Sequence, residues 1–187
     1  METLNIDKEK AINAYQEASD EQKQVLEKVF GSETFRPKAV MDRIKTFDDA
    51  LRELGCYHCL VRDYNRFYRE DITQSIMAYL KLCIITEALN EGWCPKFAKS
   101  ERLYHPYFVM YSYEDIKKMS EEEKSRVVYR SYYDASAAGG ISYSFAGGGV
   151  ATMNTGIGDK LAFKTRELAE YAGKQFIKLY ADYFLKY

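Results

Sequence analysis

The sequence has almost no net charge: 27 Lys and Arg stand against 28 Asp and Glu, leaving −1 over 187 residues. A chain so balanced has no basic field to draw in nucleic acid, and no block of like charge marks a solvating tail. Long apolar runs are missing as well. None approaches the ~18 residues of a membrane span, and the opening Met1-Glu2-Thr3-Leu4-Asn5 has neither the basic nor the apolar region of a secretory signal. Membrane contact and export by a signal peptide are therefore not expected. There are only two histidines, His58 and His105, and neither sits in a pattern that pairs a base with a nucleophile.

The four cysteines, at 56, 59, 83 and 94, lack the spacing of a disulfide scaffold. Cys56-Tyr57-His58-Cys59 supplies two thiols at metal-ligand spacing, and Cys94 with His105 could complete a set of four. No second C-x-x-C or H-x3-H follows, so this is half a signature. A redox dithiol needs the motif at a helix start after a strand, whereas here it follows a helix that ends at Gly55. Gly147-Gly148-Gly149 lacks the Lys-Ser/Thr of a phosphate loop, and Gly156-Ile157-Gly158-Asp159 lacks the third glycine of a dinucleotide turn. Asp48-Asp49 and Glu121-Glu122-Glu123 are sequential acids that suit first helical turns better than paired-carboxylate catalysis. No metal, no cofactor and no enzymatic reaction are expected.

What the chain does have is helical periodicity, then a change of texture. Residues 7–30 read as two short helices meeting at Ser19, where Gln22 completes a capping box, and Gly31 closes the second. Arg36-Pro37 breaks the pattern, so residues 1–36 are set apart as a helical arm from an α+β domain over 37–187. Thr46 caps a helix carrying Phe47, Ala50, Leu51 and Leu54 as one apolar stripe. Residues 56–70 interleave Arg62, Arg66 and Arg69 with Tyr57, Tyr64, Phe67 and Tyr68, a solvated helix or loop that could also stack bases. The strongest helix starts at Asp71 or Thr73 and ends at Asn90-Glu91-Gly92, with Ile76, Leu80, Cys83, Ile84, Ala88 and Leu89 on a face broad enough for a central position.

Tyr107 to Tyr113 reads as a strand, and 121–126 as a short charged turn capped by Ser120 and Glu123. Ile141-Ser142-Tyr143-Ser144-Phe145 alternates strictly, which puts Ile141, Tyr143 and Phe145 on one face and the serines on the other. The three glycines at 147–149 then read as a turn needing positive φ, with Val150 to Thr155 and Leu161 to Phe163 as further strands. Thr165 caps a long C-terminal helix in which Leu168, Ala172, Phe176, Leu179 and Tyr183 recur on one side. The expected fold is α+β: a helical N-terminal half and a small antiparallel sheet of about three to five strands covered by one long C-terminal helix over 166–186.

The stretch 131–158 carries a single charge, Asp134, in a chain that is 29% charged. It is built of Gly, Ala, Ser, Thr, Tyr and small apolar residues, the vocabulary of adaptable binding surfaces, in which tyrosine supplies flat area at little entropic cost. Lys, Arg, Glu, Gln and Trp are absent and Met153 is the lone Met, close to the set that randomising the adenines of Asn codons would leave. Tyr132, Tyr133, Ser142, Ser144, Thr152 and Asn154 are the candidate ligand-binding residues if the Ile141 face is buried. Tyr143 and Phe145 replace the serines if it is exposed.

The chain resembles a protein family of Bacteroidales phages and prophages that has no assigned activity. The resemblance lies in Lys10-Ala11, Ala14-Tyr15, Val29-Phe30-Gly31, Asp42-Arg43-Ile44-Lys45-Thr46-Phe47-Asp48-Asp49-Ala50, Ala78-Tyr79-Leu80-Lys81-Leu82 and Ala88-Leu89-Asn90-Glu91-Gly92-Trp93, and in the run from Leu161 to Phe176. Family members differ mostly where this chain has 131–157, a pattern that resembles targets of diversity-generating retroelements, commonly receptor-binding proteins. Asp159-Lys160 departs from the family's usual Ser-Arg. The resemblance implies a non-enzymatic phage or prophage protein, in the host cytoplasm or the virion, binding a protein or glycan ligand; homo-oligomerisation is left open. The alternative is an intracellular phage factor that acts on host machinery or nucleic acid through the 57–70 segment.

Overall fold

The computed structural model describes residues 8–35, 39–68, 72–96, 101–129, 138–150 and 159–185. The chain divides into two compact units, Met1–Arg43 and Ile44–Tyr187. In the first, α1 (Lys8–Glu17) and α2 (Asp20–Phe30) meet at Ser19, whose side chain and that of Gln22 bond each other's backbone N–H in the expected capping box. A 3-10 turn, Ser32–Thr34, follows, and α3 spans Val40–Arg43. Phe35 stacks on Tyr15 at 4.4 Å and meets Phe30 edge-on, so three rings hold this small unit together.

The second unit is α+β and is organised around α6 (Gln74–Asn90). The residues from Leu82 to Thr86 are buried in succession, as are Ala88, Leu89 and Asn90. A helix covered on every side over its last two turns is a core helix. It is packed by α4 (Phe47–Leu54) and α5 (Cys59–Phe67). Ile76, placed by periodicity on the buried stripe, is exposed. Residues 59–67 form a helix, one of the two readings of this segment, with Val61 and Tyr64 buried.

Three strands, in the order β1–β3–β2, make an antiparallel sheet among the described residues: β1 (Arg102–Ser112), β2 (Val128–Tyr129) and β3 (Ala138–Val150). Between β1 and β2 lie α7 (Tyr113–Lys118) and α8 (Glu121–Lys124), each started by a capping box, Ser112 with Asp115 and Ser120 with Glu123. The C-terminal region is two helices instead of one, α9 (Arg166–Gln175) and α10 (Ile177–Phe184). Phe176 leaves the helical region between them (φ −109°, ψ 24°), with its ring buried and edge-on to Tyr171. Gly173 sets how closely α9 lies on the sheet. A Cβ there would stand 2.7 Å from both the Pro106 Cβ and the Tyr143 ring.

Two sheet expectations are corrected. Gly147, Gly148 and Gly149 continue β3 opposite His105, Tyr104 and Leu103, and none has positive φ. Gly147 and Gly148 make room for rings instead: a Cβ on Gly148 would lie 2.5 Å from the Tyr104 ring. Leu161 to Phe163 is a 3-10 turn (Asp159–Leu161) followed by a single bridge between Phe163 and Tyr104 on the outer edge of β1. The continuation from Ala151 to Thr155 lies outside the described residues.

The core bears on alkaline behaviour. Burial pushes the Tyr79 phenol up to about 12, helped by the neighbouring Cys83 sulfur. Burial raises Tyr180 further, and its hydroxyl has no hydrogen-bond partner among the described residues. Both are neutral when folded and would ionise near 10 when unfolded, so their contribution is complete below pH 10 and is lost as pH rises through about 12. The urea midpoint should fall steeply across that window. A midpoint level above pH 10 would refute this.

Candidate functional site on the open sheet face

The register decides which residues form a surface. The pairing of β1 with β3 shifts register twice: at the end of β1, where Tyr111 meets Gly140 and Ser112 meets Ala138, and in mid-strand, where Tyr107 meets Phe145 and Phe108 meets Tyr143, leaving Ser144 as an unpaired extra residue. This bulge shifts the alternation by one. Ile141 and Tyr143 therefore face the helices, with Phe108 packed against Tyr180 and Phe184 beside them. Phe145 is turned to the opposite, open face. The expectation that Ile141, Tyr143 and Phe145 share one face fails here, because a strand with an inserted residue cannot keep period two.

On the open face Tyr107 and Phe145 stack with centroids 4.8 Å apart and planes 7° from parallel. Each stays about half exposed, 48% and 54%. Gly147 is the floor of this pair: a Cβ there would lie 2.9 Å from each ring. Val109, also exposed, lies opposite Ser142, whose hydroxyl is 3.1 Å from that of Tyr111. Ser144 is exposed at the bulge. The result is a flat apolar platform bordered by hydroxyls, chemistry that suits the apolar face of a ligand with hydrogen-bonding groups at its rim.

Of the six candidates, Ser142 and Ser144 are thus placed beside the platform, Ser142 partly covered and tied to Tyr111. Tyr132, Tyr133, Thr152 and Asn154 lie outside the described residues. Tyr107 and Val109 were missed. Their signal in the sequence is an aromatic and β-branched run, which announces a strand and not a surface.

Around the covered side, Tyr143 borders α9. Lys174 lies 5.3 Å from the centre of its ring and is bonded to Glu170 at 2.5 Å. Burial, then the Glu170 charge, raises the Tyr143 phenol. The 57–70 segment does not present a continuous strip. Tyr57 is 90% exposed and Tyr68 is exposed, but Tyr64 is buried edge-on to Phe47 at 5.0 Å, and Arg69 lies outside the described residues. Cys56, Cys59 and Cys94 are exposed free thiols, and His58 Nε2 stands 3.9 Å from Glu87. No group of three or more His, Cys, Asp or Glu side chains converges among the described residues, and no helix among them is long and apolar enough to cross a membrane. No family model, curated protein or solved structure matches the chain, so the open face must be read from its own geometry.

Proposed function

We propose that the chain is a non-catalytic ligand-binding module of phage or prophage type, with the open face of the sheet as its contact surface. The observation that carries this reading is the Tyr107 and Phe145 stack, two rings left half exposed on a sheet whose opposite face is covered by helices. Exposing two large rings together is unfavourable in water unless a partner covers them. The Ser, Tyr and Gly texture of the flanking sequence supports the same reading, since such residues adapt their contacts cheaply.

The test is binding of the purified protein to arrays of immobilised glycans and bacterial envelope proteins, wild type beside Tyr107→Ser/Phe145→Ser. The expected outcome is a saturable signal that the double variant lowers at least ~10-fold, about 1.4 kcal/mol, with its thermal midpoint preserved. A signal indifferent to both rings, or none at all, overturns the proposal. Salt separates the nucleic-acid alternative, because phosphate contacts weaken steeply with ionic strength and an aromatic platform does not.

A further inference from the structure

The two long strands expose their outer edges differently. On β1, Tyr104 exchanges hydrogen bonds of 3.1 and 2.8 Å with Phe163, and Pro106 follows two residues later. A proline turns a nitrogen without a proton outward and discourages further pairing. On the other side, β2 pairs only with Gly140 and Ile141, so the edge of β3 from 142 to 150 is unpaired among the described residues. Its sequence, Ser-Tyr-Ser-Phe-Ala-Gly-Gly-Gly-Val, has no charge and no proline, the usual protections of an edge. The next described backbone to meet the sheet, Phe163, does so beyond β1, on the far side.

A helix runs beside this open edge. Arg166, Glu170 and Lys174 recur every four residues on α9, forming one stripe that lines a hollow of about 400 Å³ with Tyr143, Ser144, Phe145 and Ala146. A second hollow of about 540 Å³ adjoins it through Tyr143 and Lys174 and extends to Arg126 and Val127. A strand edge with a helix as the facing wall is the geometry in which an extended peptide adds to a sheet, its backbone bonding the edge and its alternate side chains meeting the helix. The charges select among such peptides. Lys174 is bonded to Glu170 and Arg126 to Glu122, while Arg166 has no hydrogen bond or ion pair among the described residues.

We infer that the edge of β3 at 142–149 receives an extended peptide segment of a partner protein as an added strand, with an acidic side chain of that segment against Arg166. At ~3.3 Å per residue, seven or eight peptide residues occupy this length. The inference rests on the binding-module reading, but it uses the backbone edge of β3 and shares only the Phe145 side chain with the platform.

The experiment pans a surface-displayed library of random nine-residue peptides on the full chain and measures the recovered peptides, synthesised, by fluorescence anisotropy. Recovered peptides should carry an acid. N-methylation of alternate residues in one register should weaken binding at least ~10-fold, because each methyl removes a strand hydrogen bond, while the other register should tolerate it. Arg166→Glu should weaken binding similarly and be rescued by exchanging the peptide's acid for Lys. Amide exchange at 142–149 should slow on binding. The inference is overturned if no peptide is recovered, if binding ignores N-methylation and Arg166→Glu, or if the amides of 142–149 that point away from β1 exchange slowly in the unbound protein. Peptides sensitive only to Tyr107→Ser/Phe145→Ser would sink the edge inference alone and leave the platform standing. Peptide binding at the edge with no ring-dependent ligand on the arrays would sink the platform alone.

Discussion

Phe163→Ala should destabilise the protein by about 3–5 kcal/mol, the range for removing a fully buried aromatic ring. Phe163 is the largest side chain with no exposed surface among the described residues. Its backbone N–H and C=O both bond Tyr104, and alanine keeps that bridge, so the variant removes the ring and leaves the chain path intact. The neighbouring Leu103 and Ala162, also buried, pack against Trp93, which limits how far the surroundings can collapse into the space. For a chain of this size each kcal/mol moves the melting midpoint by roughly 2–4 °C, so a fall of roughly 6–20 °C is expected. Phe163→Leu should recover most of it. A loss below about 1 kcal/mol in urea titration would show that the site closes up and that Phe163 is not a core anchor.

The elements that were legible in the sequence are those fixed by neighbours along the chain. Thr46 and Asp49, Ser19 and Gln22, and Ser120 and Glu123 satisfy helix-end N–H groups within four residues, so the sequence spacing is also the spatial geometry. Gly55 closes α4 with φ +78°, a conformation that local sequence can announce. The same local logic misread Gly147 to Gly149. Three consecutive glycines suit a turn, but here Gly147 and Gly148 are small because Tyr107 and Tyr104, some forty residues earlier, lie across them. Nothing near the glycines in sequence states that partner.

The bulge at Ser144 was hidden for a related reason. Ile141 to Phe145 alternates in sequence, and only pairing with Tyr107 and Phe108 shows that one residue of the alternation is extra. That single insertion moves Phe145 to the platform and leaves Tyr143 under α9. The general location of a candidate surface could therefore be read from composition, while its membership depended on cross-strand register. Ser142 and Ser144, with Phe145 as the alternative to them, are candidates that the sequence names; Tyr107 is not.

Asn90→Leu should cost about 2–5 kcal/mol, because it leaves two backbone groups without partners. Asn90 closes α6, is buried, and was read from sequence only as part of a helix stop. Its side-chain amide donates to the Ala162 carbonyl at 2.8 Å, and its side-chain oxygen accepts the Lys164 N–H at 3.1 Å. One side chain thus pairs the chain on both sides of Phe163, as a neighbouring strand would. Lys164 completes the join: its Nζ reaches the Asn90 carbonyl at 3.1 Å and the Glu91 carboxylate at 3.0 Å. Leucine is close in volume, so little cavity forms, and the loss measures the orphaned Ala162 carbonyl and Lys164 N–H. Lys164→Met should cost much less, since its ammonium is partly exposed and the amide clamp remains. Equal losses from the two variants would place the join in the ion pair and overturn the assignment to Asn90. The expected inequality identifies what positions the site: Asn90 holds residues 162–164, Phe163 pairs with β1, and β1 carries Tyr107 to its place beside Phe145.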